Sequence, residues 1–122
     1  MVIHVRGAKL DVTPSLQRHV ERAVHHALDR FENRVEFAEI TLSDVNGPRK
    51  GEDMQCQLIV SLRHAPKVIV EHRDRDLYVA IDRAAGRVKR AVRRSINRRR
   101  DQRHRDRVDA GTQVFGSLYP AM

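Results

Sequence analysis

The chain has no tryptophan, one cysteine and five aromatic side chains (Phe31, Phe37, Tyr78, Phe115 and Tyr119) in 122 residues. A lone thiol, Cys56, excludes an intrachain disulfide and any multi-cysteine metal site, and it fits a reducing compartment. No apolar run approaches the roughly 20 residues that span a bilayer. The opening Met1-Val2-Ile3-His4-Val5-Arg6 meets charge too early for a secretory signal. These absences predict a soluble cytoplasmic protein with no membrane partner. Gly-rich phosphate loops and a Gly-x-Ser-x-Gly elbow are missing, as are helix-turn-helix spacing and zinc-finger ligands. No nucleophile, base or metal set converges, so the expectation is a non-enzyme with no cofactor and no small-molecule substrate.

The shortage of rings also bears on partners. A sheet that stacks unpaired bases displays aromatics on its central strands. Here two of the phenylalanines read as core, and the outward positions of the predicted central strands read as Gln, Ser and Thr. Binding to phosphates and to shape, as on folded RNA, is the expectation.

What the chain has in excess is positive charge. Lys and Arg number 24 against 16 Asp and Glu, a formal charge of +8. Such a balance favours polyanions, nucleic acid or an acidic membrane surface. At this length the chain fits one domain with a single modest core.

Val2 to Arg6 is β-branched and ends at Gly7, which predicts an opening strand. Thr13-Pro14 then reads as an N-cap followed by proline in the first helical position. Leu16, Val20, Val24, Ala27, Leu28 and Phe31 recur at steps of three and four, predicting an amphipathic helix from Pro14 to about Glu32. Val35–Val45 and Glu52–Arg63 alternate as half-buried strands around a turn at Asn46–Gly51, and Val68–Glu71 adds another. A second helix begins near Asp76 and runs to about Arg100, buried through Leu77, Ile81, Ala84, Val88, Val92 and Ser95/Ile96. The predicted fold is α+β: strand, helix, three strands, helix, a two-layer sandwich with both helices on one face of a four-stranded sheet. A crossover through the first helix places the first strand parallel beside the second. Residues 103–122 lose periodicity and read as a mobile basic and apolar tail.

The chemistry concentrates on the second helix. Twelve of the 24 Lys and Arg lie between Arg83 and Arg107, opposed there only by Asp101 and Asp106. Like charges at i,i+4 repel by a few tenths of a kcal/mol each, and guanidinium forks suit phosphate oxygens. Arg83, Arg87, Arg90 and Arg94 are expected opposite the buried stripe, with Gly86 mid-helix at a cost of up to ~1 kcal/mol relative to alanine. Asp74 and Asp76 read as capping groups. Glu21 and His25 have ligand spacing without a third partner, His4 and His72 sit in strands, and Cys56 falls on an apolar side where a thiol is inert.

Three phrases resemble the ribosome hibernation-promoting factor family, also called protein Y or ribosome-associated inhibitor. They are Val2-Ile3-His4-Val5-Arg6-Gly7, Leu10-Asp11-Val12-Thr13-Pro14-Ser15-Leu16, and Asp76-Leu77-Tyr78-Val79-Ala80-Ile81-Asp82 leading into a basic helix. The resemblance spans residues 1–102 and implies a β-α-β-β-β-α domain akin to the double-stranded RNA-binding fold. It implies a short form, without the C-terminal dimerisation domain of longer members. It further implies binding to the small ribosomal subunit and its ribosomal RNA, blocking the messenger and transfer RNA channel in idle ribosomes under stress. Tyr78 and Asp82 then orient the second helix, and Arg83, Arg87, Lys89, Arg90, Arg93, Arg94 and Arg98 supply RNA contacts. The expected oligomeric state is a monomer. Two other readings share the charge: a binder of duplex or structured RNA not tied to ribosomes, and a protein-interaction module that modulates transcription through an acidic partner.

Overall fold

The computed structural model describes residues 1–45 and 54–113. The turn expected at Asn46–Gly51 and residues 114–122 lie outside the described residues. Strand β1 (Val2–Ala8) leads to helix α1 (Pro14–Leu28), strands β2 (Val35–Asp44), β3 (Met54–Leu62) and β4 (Val68–Asp74), and helix α2 (Leu77–Gln113). The sheet order is β1-β2-β3-β4, with β1 parallel to β2 and the other pairs antiparallel. The α+β two-layer arrangement predicted from the sequence is therefore present, and its crossover lands where expected.

Local chemistry explains the element boundaries. Thr13 caps α1 by accepting from the Leu16 amide at 3.2 Å, with Pro14 in the first turn. The α-helix ends at Leu28, four residues before the expected Glu32. A single 3-10 turn, Asp29–Phe31, then tightens the chain, and the Arg34 amide donates to the Phe31 carbonyl at 2.8 Å. At the end of β1, Gly7 is required. The Leu10 carbonyl oxygen lies 2.3 Å from where a Cβ would stand, inside any allowed contact.

The core lies between the layers. Ala38, Ile40 and Leu42 of β2 and Cys56, Leu58, Val60 and Leu62 of β3 point towards the helices. They meet Leu16, Val20, Val24, Ala27 and Leu28 of α1 and Ala80, Ile81, Ala84, Val88 and Val92 of α2. Close packing at this seam is the main stabilising term. Truncating one such buried leucine to alanine costs about 2–5 kcal/mol.

Two sequence expectations change. The second helix does not stop near Arg100 but continues to Gln113, 37 residues in all, or about 55 Å at 1.5 Å per residue. Helical hydrogen bonds are local and need no apolar partner, so the end of the hydrophobic stripe marks the end of packing and not of the helix. No proline interrupts α2, and its arginines are good helix formers. The expected tail, 103–122, is thus helical in backbone over 103–113.

The second change concerns Phe37. The pairing of β2 with β3 is irregular between Val35 and Phe37, so the inward phase shifts from Val35 to Ala38, Ile40 and Leu42. Phe37, in phase with Glu39 and Thr41, faces away from the core and is 40% exposed on the helix-free face of the sheet. The outward positions of the central strands also include Glu39 and Ile59, besides Gln, Ser and Thr.

Candidate nucleic-acid interface

Helix α2 is aimed by its first turns. The Asp76 carboxylate accepts from the Tyr78 amide at 2.9 Å, and Asp74 accepts from the Asp76 amide at 3.0 Å. Asp76 caps the helix as its position predicts, while Asp74 fixes the turn that leads into the cap. Tyr78 and Asp82, one turn apart, then fasten α2 to α1. The Tyr78 and Ser15 hydroxyls lie 3.0 Å apart. His19 Nε2 sits 2.8 Å from Asp82 Oδ1, and its ring meets Tyr78 edge-on at 4.9 Å between centroids. Ser15 and His19 escape a sequence reading because the latch joins residues 63 positions apart.

Beyond this latch the predicted site residues divide into two strips. At 100° per residue Arg83, Arg87, Arg90 and Arg94 fall within about 60° of one another, and Arg98 follows Arg94 by one turn. All five are exposed. This strip runs along the β4 flank rather than straight opposite the buried stripe, because Arg87 Nη1 donates to the Glu71 carbonyl at 3.0 Å. Lys89 and Arg93 lie on the other flank, towards α1. Lys89 is half-buried in a cleft of about 380 Å³ with His25, His26, Ala27, Asp29 and Arg30, whereas Arg93 is exposed. Gly86 stands between the strips.

Helix α1 adds cations that the sequence reading did not single out. Arg18 and Arg22 are exposed on its polar side, beside the histidines His25 and His26, and Arg30 follows in the 3-10 turn. The usable signal was the complement of the apolar stripe: Arg18, Arg22 and His25 recur at four and three. Among the described side chains, none of the α1 arginines or of those from Arg83 to Arg98 on α2 lies within 4.0 Å of a carboxylate oxygen. Their mutual repulsion is therefore left to solvent or to a polyanion.

The remaining candidates have structural partners. Glu21 accepts from Gln17 Nε2 at 2.9 Å. His4 is exposed on β1, while His72 is half-buried, paired in register with Cys56. Among the described residues no three of His, Cys, Asp and Glu group closely enough to hold a metal. Burial pushes the Cys56 thiol up to about 12, so it carries no thiolate at neutral pH. Among the described residues no helix is long and apolar enough to cross a membrane.

Fold and site together define a class: a two-layer α+β module whose helix layer is cationic. The signature of the sigma 54 modulation protein / S30EA ribosomal protein family matches residues 3–100, and the chain belongs to that family. A number of solved structures resemble it, among them the following two. The N-terminal domain of Thermus thermophilus protein Y is 33% identical, with a TM-score of 0.64, over 77% of this chain and 98% of that one. A ribosomal subunit interface protein from Coxiella burnetii shares the fold at 16% identity, with a TM-score of 0.66, over 77% of this chain and 96% of that one. No curated protein matches the chain in sequence. The family is one of ribosome-associated modulators.

Proposed function

We propose that the chain is a translation inhibitor of idle ribosomes that acts by occupancy. Its cationic helix layer docks on ribosomal RNA of the small subunit, and the domain fills the channel used by messenger and transfer RNA. The observation that carries this reading is the double row of exposed arginines, Arg83 to Arg98 on α2 with Arg18 and Arg22 on α1, left without carboxylate partners among the described residues. Guanidinium forks on a rigid helix grip phosphate oxygens in pairs, and no chemical step is required. The protein then works in the cytoplasm as a monomer, without cofactor or small-molecule substrate. Residues 1–102 form the binding unit, with 103–122 an appendage to it.

Co-sedimentation with small subunits tests this proposal. Wild type binds and inhibits translation, and affinity falls by roughly 0.7–0.9 log units per tenfold salt for each phosphate neutralised. Reversing Arg87, Arg90 and Arg94 to glutamate abolishes both at physiological salt while the circular dichroism spectrum is kept. Equal binding by the reversed protein refutes the helix as the site. Binding that survives nuclease treatment would instead favour an acidic protein partner.

A further inference from the structure

The two helices cover one face of the sheet and leave the other open. Register arranges that open face in rows: Val2 beside Phe37 and Phe37 beside Ser61, then His4, Glu39, Ile59 and Ile69. Further along, the face is polar and pairs with itself. Arg6 Nε donates to Thr41 Oγ1 at 3.3 Å, Gln57 Nε2 to Glu71 Oε1 at 3.1 Å, and Arg73 Nε to Gln55 Oε1 at 3.1 Å. The near end is different. Val2 is 67% exposed, Ile69 58% and Phe37 40%, with Ile59 half-buried among them and His4 exposed alongside.

We infer that this end of the open sheet stacks an unpaired nucleobase of RNA, with the Phe37 ring as the platform. Four apolar side chains expose on the order of 300 Å², the small end of the range for functional patches. A stable protein interface needs about 800 Å² per partner, so the patch is too small for one but fits a base or two. Charge argues the same way. A second copy carrying +8 is repelled. Arg63, His64 and Lys67 are exposed where β3 ends and β4 begins, at the same end of the sheet. Arg63 and Lys67 match the carboxylates Glu36 and Glu39 in number there and can take the flanking phosphates, with His64 as a further donor. Phe37 stands on a central strand, and base stacking on an aromatic ring tolerates any base because every base has a π face. His4, on the neighbouring strand and the same face, offers a second flat ring. The inference rests on RNA being the partner, but it uses the opposite face of the domain and a different chemistry from the helix arginines.

The probe is a single-stranded RNA hexamer with 2-aminopurine replacing one adenine, titrated into the full chain. Stacking quenches its fluorescence with wild type. Phe37→Ala removes the quench and weakens binding roughly five- to a hundredfold. Phe37→Leu, which keeps apolar area without a π face, does the same, and Phe37→Tyr keeps both signals. Unchanged quench and affinity in Phe37→Ala overturn the inference. So does a dimer in sedimentation equilibrium that Phe37→Ala dissolves, because the patch then belongs to a second copy. Small-subunit binding by the Arg87, Arg90 and Arg94 reversal, run in parallel, separates the two readings. If reversal abolishes it while Phe37→Ala quenches normally, the stack fails and the helix interface stands.

Discussion

Gly86 sits in the middle of α2, where glycine costs helix stability through the backbone entropy it must lose. A methyl group built there meets only Arg90 Nη1, at 3.9 Å, an ordinary contact with the mobile end of a long side chain. Nothing from the sheet or from α1 approaches within 4 Å, so close packing inside the domain does not require the glycine. Gly86→Ala should therefore return the propensity difference, about 0.8–1 kcal/mol. For a domain of 60–100 residues each kcal/mol moves Tm by about 4–8 °C, which puts the expected gain at roughly 3–8 °C. Thermal melting by circular dichroism reads the shift, and urea unfolding should show a higher midpoint at unchanged slope. A lower Tm would refute the reasoning, because it would mean the methyl group meets something tighter than the Arg90 guanidinium. Gly86 also lies between the two cationic strips. Under the proposed docking of RNA on α2, the same variant should bind small subunits less well, because a methyl group is added between the two strips.

Two further perturbations follow from the geometry. The Cys56 thiol rises from an ordinary 9.0 to about 12 on burial. The unfolded chain ionises first, so this contribution to stability is complete below pH 9 and is lost as pH rises from there towards 12. Urea midpoints should fall along that alkaline limb, less steeply in Cys56→Ala, and native protein at pH 7.5 should resist iodoacetamide that labels it fully in urea. Rapid native labelling would contradict the burial. The His19–Asp82 pair, with side chains 27% and 59% exposed, should couple by no more than about 1 kcal/mol in a double-mutant cycle of His19→Ala and Asp82→Asn. A much larger coupling would show that the latch holds the helices together beyond its own contact.

Much of this protein is legible in its sequence because the signals are local. Thr13-Pro14 and Asp76 announce helix starts through side chains that reach a backbone amide two or three residues on. The apolar stripe of α1 and the alternation in β3 are periods of 3.6 and 2 set by backbone geometry. The run from Arg83 to Arg98 stands out because no carboxylate interrupts it. The latch does not show in the sequence, since Ser15 and His19 gain their meaning only where α2 crosses α1.

By itself, then, the sequence determined the elements, their order, the cationic character of α2 and the family phrases, all of which are written in neighbouring residues. Tertiary structure alone decided where the inward phase of β2 breaks and how much of Phe37 stays exposed. Both helices pack on one side of the four-stranded sheet, and an irregularity between Val35 and Phe37 shifts the inward phase of β2. That one-residue shift brings Val35 into the core, while Phe37 keeps the phase of Glu39 and Thr41 on the open face. The period of two places Phe37 outward but does not predict the break that buries Val35, which is settled by the pairing of β2 with β3 and by the helices packed behind them.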